Sequence, residues 1–163
     1  MLFGCNSSNT EFKNEEFSKL YSPLFQELKT SDVKLEKYII FNNNVDTVLL
    51  NSDSINWNQE LELFTKAEIS KSAYSDYEIR TLNNGCEKYF QTRNDKHHVK
   101  KYHYSNCNGS LNVYIDVEKS SPLYKFNYHL ELNKDGYLIE TKSKIELAEQ
   151  SNYRIEGKFI RTN

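Results

Sequence analysis

Proline, glycine and cysteine are scarce in this sequence, and long apolar runs are missing altogether. Its 163 residues include two prolines, five glycines and three cysteines. No stretch approaches the roughly 20 consecutive apolar residues that a membrane-spanning helix needs, so we expect no such helix. The 21 basic and 23 acidic residues are interspersed, and they leave no basic stripe that could neutralise a phosphate backbone. Nucleic-acid binding is therefore not expected.

Motifs that mark known catalytic or metal-binding sites are missing as well. The sequence contains no His-Glu-x-x-His pair, no phosphate-binding loop, no dinucleotide-binding fingerprint and no Gly-x-Ser-x-Gly nucleophile turn. The histidines, His97, His98, His103 and His129, have no carboxylate at a familiar ligand spacing, and we interpret them as solvated. We expect no catalytic residues, no metal and no cofactor, while a hydrolase with an unfamiliar site stays open as an alternative.

Two carboxylate pairs lie among lysines in segments with helical spacing. They are Glu15 with Glu16 and Glu60 with Glu62. Paired carboxylates can act as general acid and base. The lysines around these pairs favour a simpler interpretation, in which both pairs belong to solvated helix faces.

Aromatic residues are abundant, with 12 tyrosines and nine phenylalanines in a chain that is 37% hydrophobic. Large rings bury much apolar area per residue, so a chain of this length can form one domain with an aromatic-rich core. Four rings occupy inward positions of predicted strands: Tyr124, Phe126, Tyr128 and Tyr137. They either complete the core or line a cavity that takes an apolar ligand.

The first helical pattern covers about residues 10 to 30. Ser8 and Glu11 have the spacing of a capping box, and apolar residues follow at three- and four-residue intervals. Pro23 lies inside this pattern and should kink the helix or divide it in two.

A hairpin and a second helix follow. Residues 33 to 50 alternate around Asn42-Asn43-Asn44, and this pattern predicts two strands, because asparagine tolerates the positive φ of a tight turn. A second helix could begin at Ser54 or at Asn56, and we predict it over residues 56 to 68, because Asn56 and Gln59 form a cap-like pair. Its apolar stripe consists of Trp57, Leu61 and Phe64.

From residue 77 onward, apolar and polar residues alternate through a series of short segments that are separated by turn residues. Alternation with a period of two is typical of an antiparallel sheet with one buried face. The sequence therefore predicts an α+β fold, with a curved antiparallel β-sheet of about seven to nine strands and two N-terminal helices packed on one side. No repeat or linker divides the chain, so we expect a flexible tether over residues 1–9 and a single domain over residues 10–163.

Two cysteines flank one of the predicted hairpins. A turn centred between Lys96 and His97 would place Cys86 and Cys107 directly opposite each other. Directly opposed residues have Cα atoms close enough for a disulfide to bridge. We therefore predict a structural Cys86–Cys107 disulfide, which suits an oxidising compartment; two free thiols are the alternative.

The third cysteine lies near the start, in Leu2-Phe3-Gly4-Cys5. This stretch resembles the lipobox of bacterial lipoproteins, in which a leucine three positions before the cysteine and a small residue just before it precede signal cleavage. The layout of the whole chain is similar to small uncharacterised lipoproteins of Bacteroidota. The resemblance implies that Cys5 is the lipid anchor of a periplasmic or outer-membrane lipoprotein. A cytoplasmic protein with an ordinary cysteine near its terminus is the alternative.

These observations lead to one functional hypothesis and one alternative. The first is a non-enzymatic, lipid-anchored cell-envelope protein that acts as a binding or interaction module, with a partner protein still to be identified. The alternative is a carrier of an apolar ligand in a half-barrel or lipocalin-like cavity. Tyr124, Phe126, Tyr128 and Tyr137 are the candidate ligand-lining residues.

Overall fold

The computed structural model of the chain describes residues 14–145 and 150–162. It contains one sheet of nine antiparallel strands, with the helices in the N-terminal part of the chain. The strands are β1 (Val33–Phe41), β2 (Asn44–Leu50), β3 (Glu78–Leu82), β4 (Glu87–Gln91), β5 (Val99–Cys107), β6 (Ser110–Ser121), β7 (Tyr124–Asn133), β8 (Gly136–Ile145) and β9 (Ser151–Arg161). The helices are α1 (Glu15–Thr30), α2 (Trp57–Glu60) and α3 (Glu62–Lys66), and short 3-10 turns occur at Ser52–Ser54, Lys71–Asp76 and Asn83–Gly85.

Helix α1 begins directly after Asn14, whose side chain accepts a hydrogen bond from the backbone N–H of Glu16. The capping box predicted at Ser8 and Glu11 lies outside the described residues. The helix runs through Pro23 without a break, so, of the two outcomes predicted there, a kink or a division, the division into two helices is wrong. Its apolar residues recur every three or four positions and form one buried face, which consists of Phe17, Leu20, Tyr21, Leu24, Phe25 and Leu28.

The second predicted helix is present in two pieces. Asn56 caps it as predicted, because its side-chain oxygen accepts the N–H of Gln59 at 3.2 Å. The regular helix stops at Leu61, where the backbone turns to φ −102° and ψ 16°, and it resumes as α3. The predicted apolar stripe is nevertheless buried: Trp57, Leu61 and Phe64 all belong to the core.

Tight turns of the expected kind connect the hairpins. The β1–β2 turn is formed by Asn42 and Asn43, with φ values of 46° and 71°. The β5–β6 turn is formed by Asn108 and Gly109, with φ values of 57° and 73°. Asparagine and glycine tolerate positive φ better than other residues, so these turns follow from local sequence.

The strand order is β2-β1-β9-β8-β7-β6-β5-β4-β3. Strands β3 to β9 are a meander, in which each strand pairs with the next, and the β1–β2 hairpin joins the sheet at β9. The predicted antiparallel sheet is confirmed. Its outermost strands, β2 and β3, do not pair with each other, so the sheet is open rather than a closed barrel.

The core lies between the helices and one face of the sheet, which we call the inner face. Strand residues at alternate positions point to this face and pack under α1, α2 and α3. One cross-strand row of this face consists of Ile39, Ile155, Ile139, Leu130, Ile115, Tyr102 and Phe90. Positions of the opposite parity form the outer face, which carries most of the charged side chains of the sheet.

Candidate binding face

The helices cover only part of the inner face. On β7, Leu130 and Leu132 are buried, but the earlier residues at the same parity are progressively less covered. Tyr128 and Phe126 are partly exposed, and Tyr124 is exposed. Strands β6 and β9 have 12 and 11 residues, and near Ser121 and Ser151 the helices among the described residues leave the inner face partly uncovered.

Five aromatic rings lie on this bare part, which we call the open face: Phe41, Tyr124, Phe126, Tyr128 and Tyr153. The ring centroids of Phe41 and Tyr153 are 6.3 Å apart across neighbouring strands. Along β7, the centroids of Tyr124 and Phe126 are 5.2 Å apart, and those of Phe126 and Tyr128 are 6.4 Å apart. Three of the four rings predicted to line a site thus lie next to one another on a solvent-accessible surface.

Polar groups flank the open face and give it an amphipathic character. The hydroxyl oxygens of Ser143 and Ser151 are hydrogen-bonded at 2.6 Å, in the same cross-strand row as Phe126. The Lys119 Nζ lies 5.9 Å from the ring centroid of Tyr128, within range of a cation–π interaction. A partner on this face would therefore meet rings, hydroxyls and one ammonium group.

Tyr137, the fourth predicted residue, is not part of the open face. Its side chain is only 5% exposed and packs under α3 against Phe64 and against Phe159, with ring centroids 6.2 and 6.1 Å away. Its hydroxyl donates to the carboxylate of Glu60. Burial, together with this carboxylate, raises the pKa of Tyr137 well above its ordinary value. Strand parity placed the ring on the correct face, but only the helix positions decide which part of that face is covered.

The predicted disulfide joins Cys86 and Cys107, with Cα atoms 5.2 Å apart. The predicted register is wrong by one residue, because Cys86 lies opposite Asn106 and its carbonyl oxygen accepts the N–H of Asn106. The bridge is therefore diagonal, between the start of β4 and the end of β5. It lies at the opposite end of the sheet from the open face.

The histidines are not simply solvated, as the sequence suggested, because each has an oxygen partner on at least one ring nitrogen, and His129 has one on both. Desolvation lowers the pKa of His129, but the hydrogen-bonded carboxylates outweigh it and the net pKa is raised. Within residues 14–145 and 150–162, no group of three or more potential ligands is arranged to hold a metal ion. The hydrogen-bond partners of the histidines are as follows: Asp76 for His97 (2.6 Å), the Glu118 carbonyl oxygen for His98 (3.2 Å), Glu87 for His103 (2.9 Å), and Asp116 (2.7 Å) and Glu131 (2.9 Å) for His129.

The two carboxylate pairs each divide into an outer and an inner member, contrary to the prediction that both are solvated. Glu15 and Glu62 form exposed helical ion pairs, whereas Glu16 and Glu60 point toward the sheet. Burial raises the pKa of Glu16, but its three donors outweigh burial and the net pKa is lowered. These donors are Lys88 (2.7 Å), Tyr104 (2.7 Å) and Tyr74 (2.9 Å), and Glu60 binds Lys37 (2.7 Å) and Tyr137. Both carboxylates fasten a helix to the sheet, and no local sequence signal distinguishes them from their neighbours.

A groove of about 840 Å³ lies away from the open face, between the end of α1 and the Ser52–Ser54 turn. Carboxylates and hydroxyls make up much of its lining, with Asp32, Ser52 and Asp53 among them. It does not provide the apolar cavity that a lipid carrier would need. Across the part of the chain that the structure describes, every buried side-chain polar atom has a hydrogen-bond partner.

Cys5, the predicted anchor, lies outside the described residues, as does the predicted tether over residues 1–9. No helix among residues 14–145 and 150–162 is both long and apolar enough to cross a membrane.

Comparison with known proteins identifies no family for this chain. No protein-family model matches the chain, and searches of curated proteins and of solved structures found no match.

Proposed function

We propose that this protein is a non-enzymatic binding module and that the open face contacts a partner protein. One observation carries the proposal: five rings lie on a part of the sheet that the described helices leave bare, as a pair on β1 and β9 and a group of three on β7, with only β8 between them. Monomeric proteins rarely leave large contiguous apolar patches in water. Such a patch with a polar rim is typical of an interaction site.

The composition of the open face favours a protein partner. Tyrosine and phenylalanine are enriched at protein–protein interfaces, where their rings bury a large area at a low entropic cost. Three of the five rings are tyrosines, namely Tyr124, Tyr128 and Tyr153, whose hydroxyls can find partners while the ring is covered.

Carrying an apolar ligand is the second candidate function, because the same rings could cover an acyl chain or another apolar molecule. The shape of the sheet supports it less well. The nine strands do not close into a barrel, and the open face is a surface rather than an enclosed cavity.

We further propose that the protein belongs to the cell envelope and is anchored through a lipid on Cys5. The Leu2-Phe3-Gly4-Cys5 stretch supports this location, and so does the Cys86–Cys107 disulfide, which is typical of oxidising compartments. Metabolic labelling with an alkyne-bearing fatty acid should mark the native protein and not the Cys5→Ala variant. Equal labelling of both proteins, or of neither, would contradict a lipid anchor on Cys5.

Site-specific photocrosslinking tests the binding role of the open face. A benzophenone amino acid replaces Phe126 in one variant and Asn127 in a matched control. The two residues are adjacent on β7 and point to opposite faces of the sheet. In the native cells, the probe at position 126 should give a discrete adduct with one protein, and Tyr128→Ser or Tyr153→Ser should reduce its yield.

Two other outcomes count against this role. The same adduct from positions 126 and 127, or no adduct at position 126, contradicts a partner on the open face. A stoichiometric lipid in the purified native protein, lost in Phe126→Ser, would instead support the carrier.

A further inference from the structure

The turn between β6 and β7 is apolar, unlike the other short hairpin turns of the sheet. Pro122 and Leu123 connect Ser121 to Tyr124, and the Leu123 side chain is 66% exposed. The other short turns are polar, namely Asn42-Asn43, Asn108-Gly109 and Lys134-Asp135. Turns favour glycine, asparagine, aspartate and serine, so leucine at this position needs another reason.

The backbone of this turn does not require leucine. The Ser121 hydroxyl oxygen accepts the N–H of Leu123 at 3.2 Å and the N–H of Tyr124 at 3.3 Å. Neither Pro122 nor Leu123 has a positive φ. The turn is therefore stabilised by its serine, and the leucine side chain projects into solvent.

Two further apolar side chains lie beside Leu123 at the same end of the sheet. Tyr124 is 42% exposed, and Ile145, its direct partner on β8, is 47% exposed. We call Leu123, Tyr124 and Ile145 the apolar tip. Because it is contiguous with the open face through Tyr124, any surface that covers the tip also fixes the direction in which the open face points.

Lysines surround the apolar tip. Lys125 and Lys144 are directly opposite each other on β7 and β8, and Lys119 lies one row further on the inner face. Like charges directly opposite in a sheet are destabilising, and the carboxylate of Glu118, 3.3 Å from the Lys125 Nζ, pairs with one of the two lysines. An anionic surface outside the protein would reduce the repulsion between Lys125 and Lys144.

The local charge differs from that of the chain as a whole. The formal net charge of the chain is -2. The strand ends over residues 118–127 and 142–145 carry Lys119, Lys125, Lys142 and Lys144 against Glu118 alone. Glu146 and Glu149, which follow in the sequence, lie outside the described residues.

We propose that the apolar tip docks into the headgroup region of an anionic lipid bilayer. Leu123 would bury its side chain among the upper acyl carbons, and the Tyr124 ring suits the interface between water and hydrocarbon. Long lysine side chains can lie along the apolar surface and place their ammonium groups at lipid phosphates. This contact goes beyond partner binding and holds the open face close to the membrane in one orientation.

Sedimentation with vesicles tests the proposal on the full-length chain carrying Cys5→Ser, so that no acyl anchor contributes. The vesicles contain equal amounts of phosphatidylglycerol and phosphatidylcholine, or phosphatidylcholine alone. We expect binding to the anionic vesicles to be at least about fivefold stronger than to the neutral ones, and to weaken at high salt. A failed anchor at Cys5 leaves this result unchanged, so the two proposals fail separately.

Paired variants locate the contact. Leu123→Ser should lower the partition coefficient about tenfold or more, because a leucine side chain no longer leaves water. Leu82→Ser is the matched control, because Leu82 is also exposed, at 48%, and lies at the other end of the sheet. Lys125→Gln and Lys144→Gln should each reduce binding about fivefold, and Lys134→Gln, in the distant β7–β8 turn, should not.

A variant that gains binding excludes misfolding as the explanation for weaker binding by Leu123→Ser. Leu123→Trp should strengthen binding to the anionic vesicles, because tryptophan prefers the membrane interface. The proposal is overturned if the parent chain does not sediment with anionic vesicles, if it binds neutral vesicles equally well, or if Leu123→Ser and Leu82→Ser behave alike.

Discussion

At the scale of single residues, Asn14 shows how one polar side chain can organise a helix start. It is 1% exposed, and its carboxamide makes three hydrogen bonds. The oxygen accepts from the Glu16 N–H, and the nitrogen donates to the Ile69 carbonyl oxygen at 2.8 Å and to the Tyr74 hydroxyl at 2.9 Å. Asn14 therefore connects α1 to a segment more than 50 residues away in the sequence.

Replacing Asn14 with alanine should cost more than the loss of an ordinary helix cap. We expect Asn14→Ala to lower the free energy of unfolding by about 3 kcal/mol, because the cap is lost and buried partners lose their hydrogen bonds. Asn56→Ala is the matched control, since Asn56 caps α2 from an exposed position, and it should cost about 1 kcal/mol. Urea denaturation measures both values, and equal losses would contradict the role of burial.

His129 is the residue whose charge should respond to pH in a predictable direction. It lies between Asp116 and Glu131 on the outer face, opposite Glu140 on β8, and Lys101 is near Asp116. The pKa of His129 is raised in the folded protein, so folding favours its protonated form. Its stabilising contribution is complete below about pH 6.5 and is lost as the pH rises through the folded-state pKa.

The stability difference between the native protein and His129→Gln should therefore shrink as the pH increases from 5.5 to 8.5. NMR titration of the imidazole should give a midpoint above that of an unfolded histidine. Glu131→Gln removes one of the two carboxylates and should move the midpoint down. A midpoint that does not respond to this change would argue against the carboxylates as the cause.

At the scale of elements, the β8–β9 pair depends on close contact between Tyr137 and Gly157. The two residues are direct partners, and a Cβ at position 157 would overlap the Tyr137 ring. The ring lies across the glycine backbone, and this position lets it reach Glu60, Phe64 and Phe159. Gly157 is therefore a point of close contact between a side chain of one strand and the backbone of its neighbour.

Gly157→Ala should accordingly destabilise the sheet by about 3 kcal/mol, because the added methyl group forces the Tyr137 ring out of its packed position. In a Tyr137→Leu background the same change should cost at least about 1 kcal/mol less, since the obstructing ring is gone. A double-mutant cycle in urea measures this coupling. Strictly additive effects would show that the ring is not the obstacle.

At the scale of the whole molecule, the disulfide joins β4 and β5, near the β3 edge of the sheet. Cys86 and Cys107 are separated by 21 residues, and closing a loop of this size removes entropy from the unfolded chain. The hairpin that they enclose carries buried residues of the core, such as Phe90 and Tyr102. Opening the bridge would therefore loosen an element that packs against α1.

Removing the bridge with Cys86→Ser and Cys107→Ser should lower the free energy of unfolding by about 3 kcal/mol. Reductant should destabilise the native protein by a similar amount, and it should leave the double variant unchanged. Cys5→Ser serves as the control and should not alter stability. Alkylation of both Cys86 and Cys107 without reductant, detected by mass spectrometry, would reject the bridge.

Local patterns were sufficient for the elements that depend on neighbouring residues. The Asn42-Asn43 turn, the Asn56 cap and the alternation from residue 77 onward each concern residues that are close in sequence. The conformational preferences of a turn or a strand arise from its own side chains, so they can be inferred without the rest of the fold. The spacing of Cys86 and Cys107 likewise indicated the bridge, although the register was wrong by one residue.

By itself, then, the sequence determined which segments form strands and turns, and which side chains share a face of each strand. Only the tertiary structure decided that β1 pairs with β9, that Glu16 and Glu60 turn inward, and how far the helices extend over the inner face. These outcomes depend on contacts between residues far apart in the chain, and strand parity is the same for a covered ring such as Tyr137 and a bare one such as Phe126. Whether a ring belongs to the core or to the open face is a property of what packs above it.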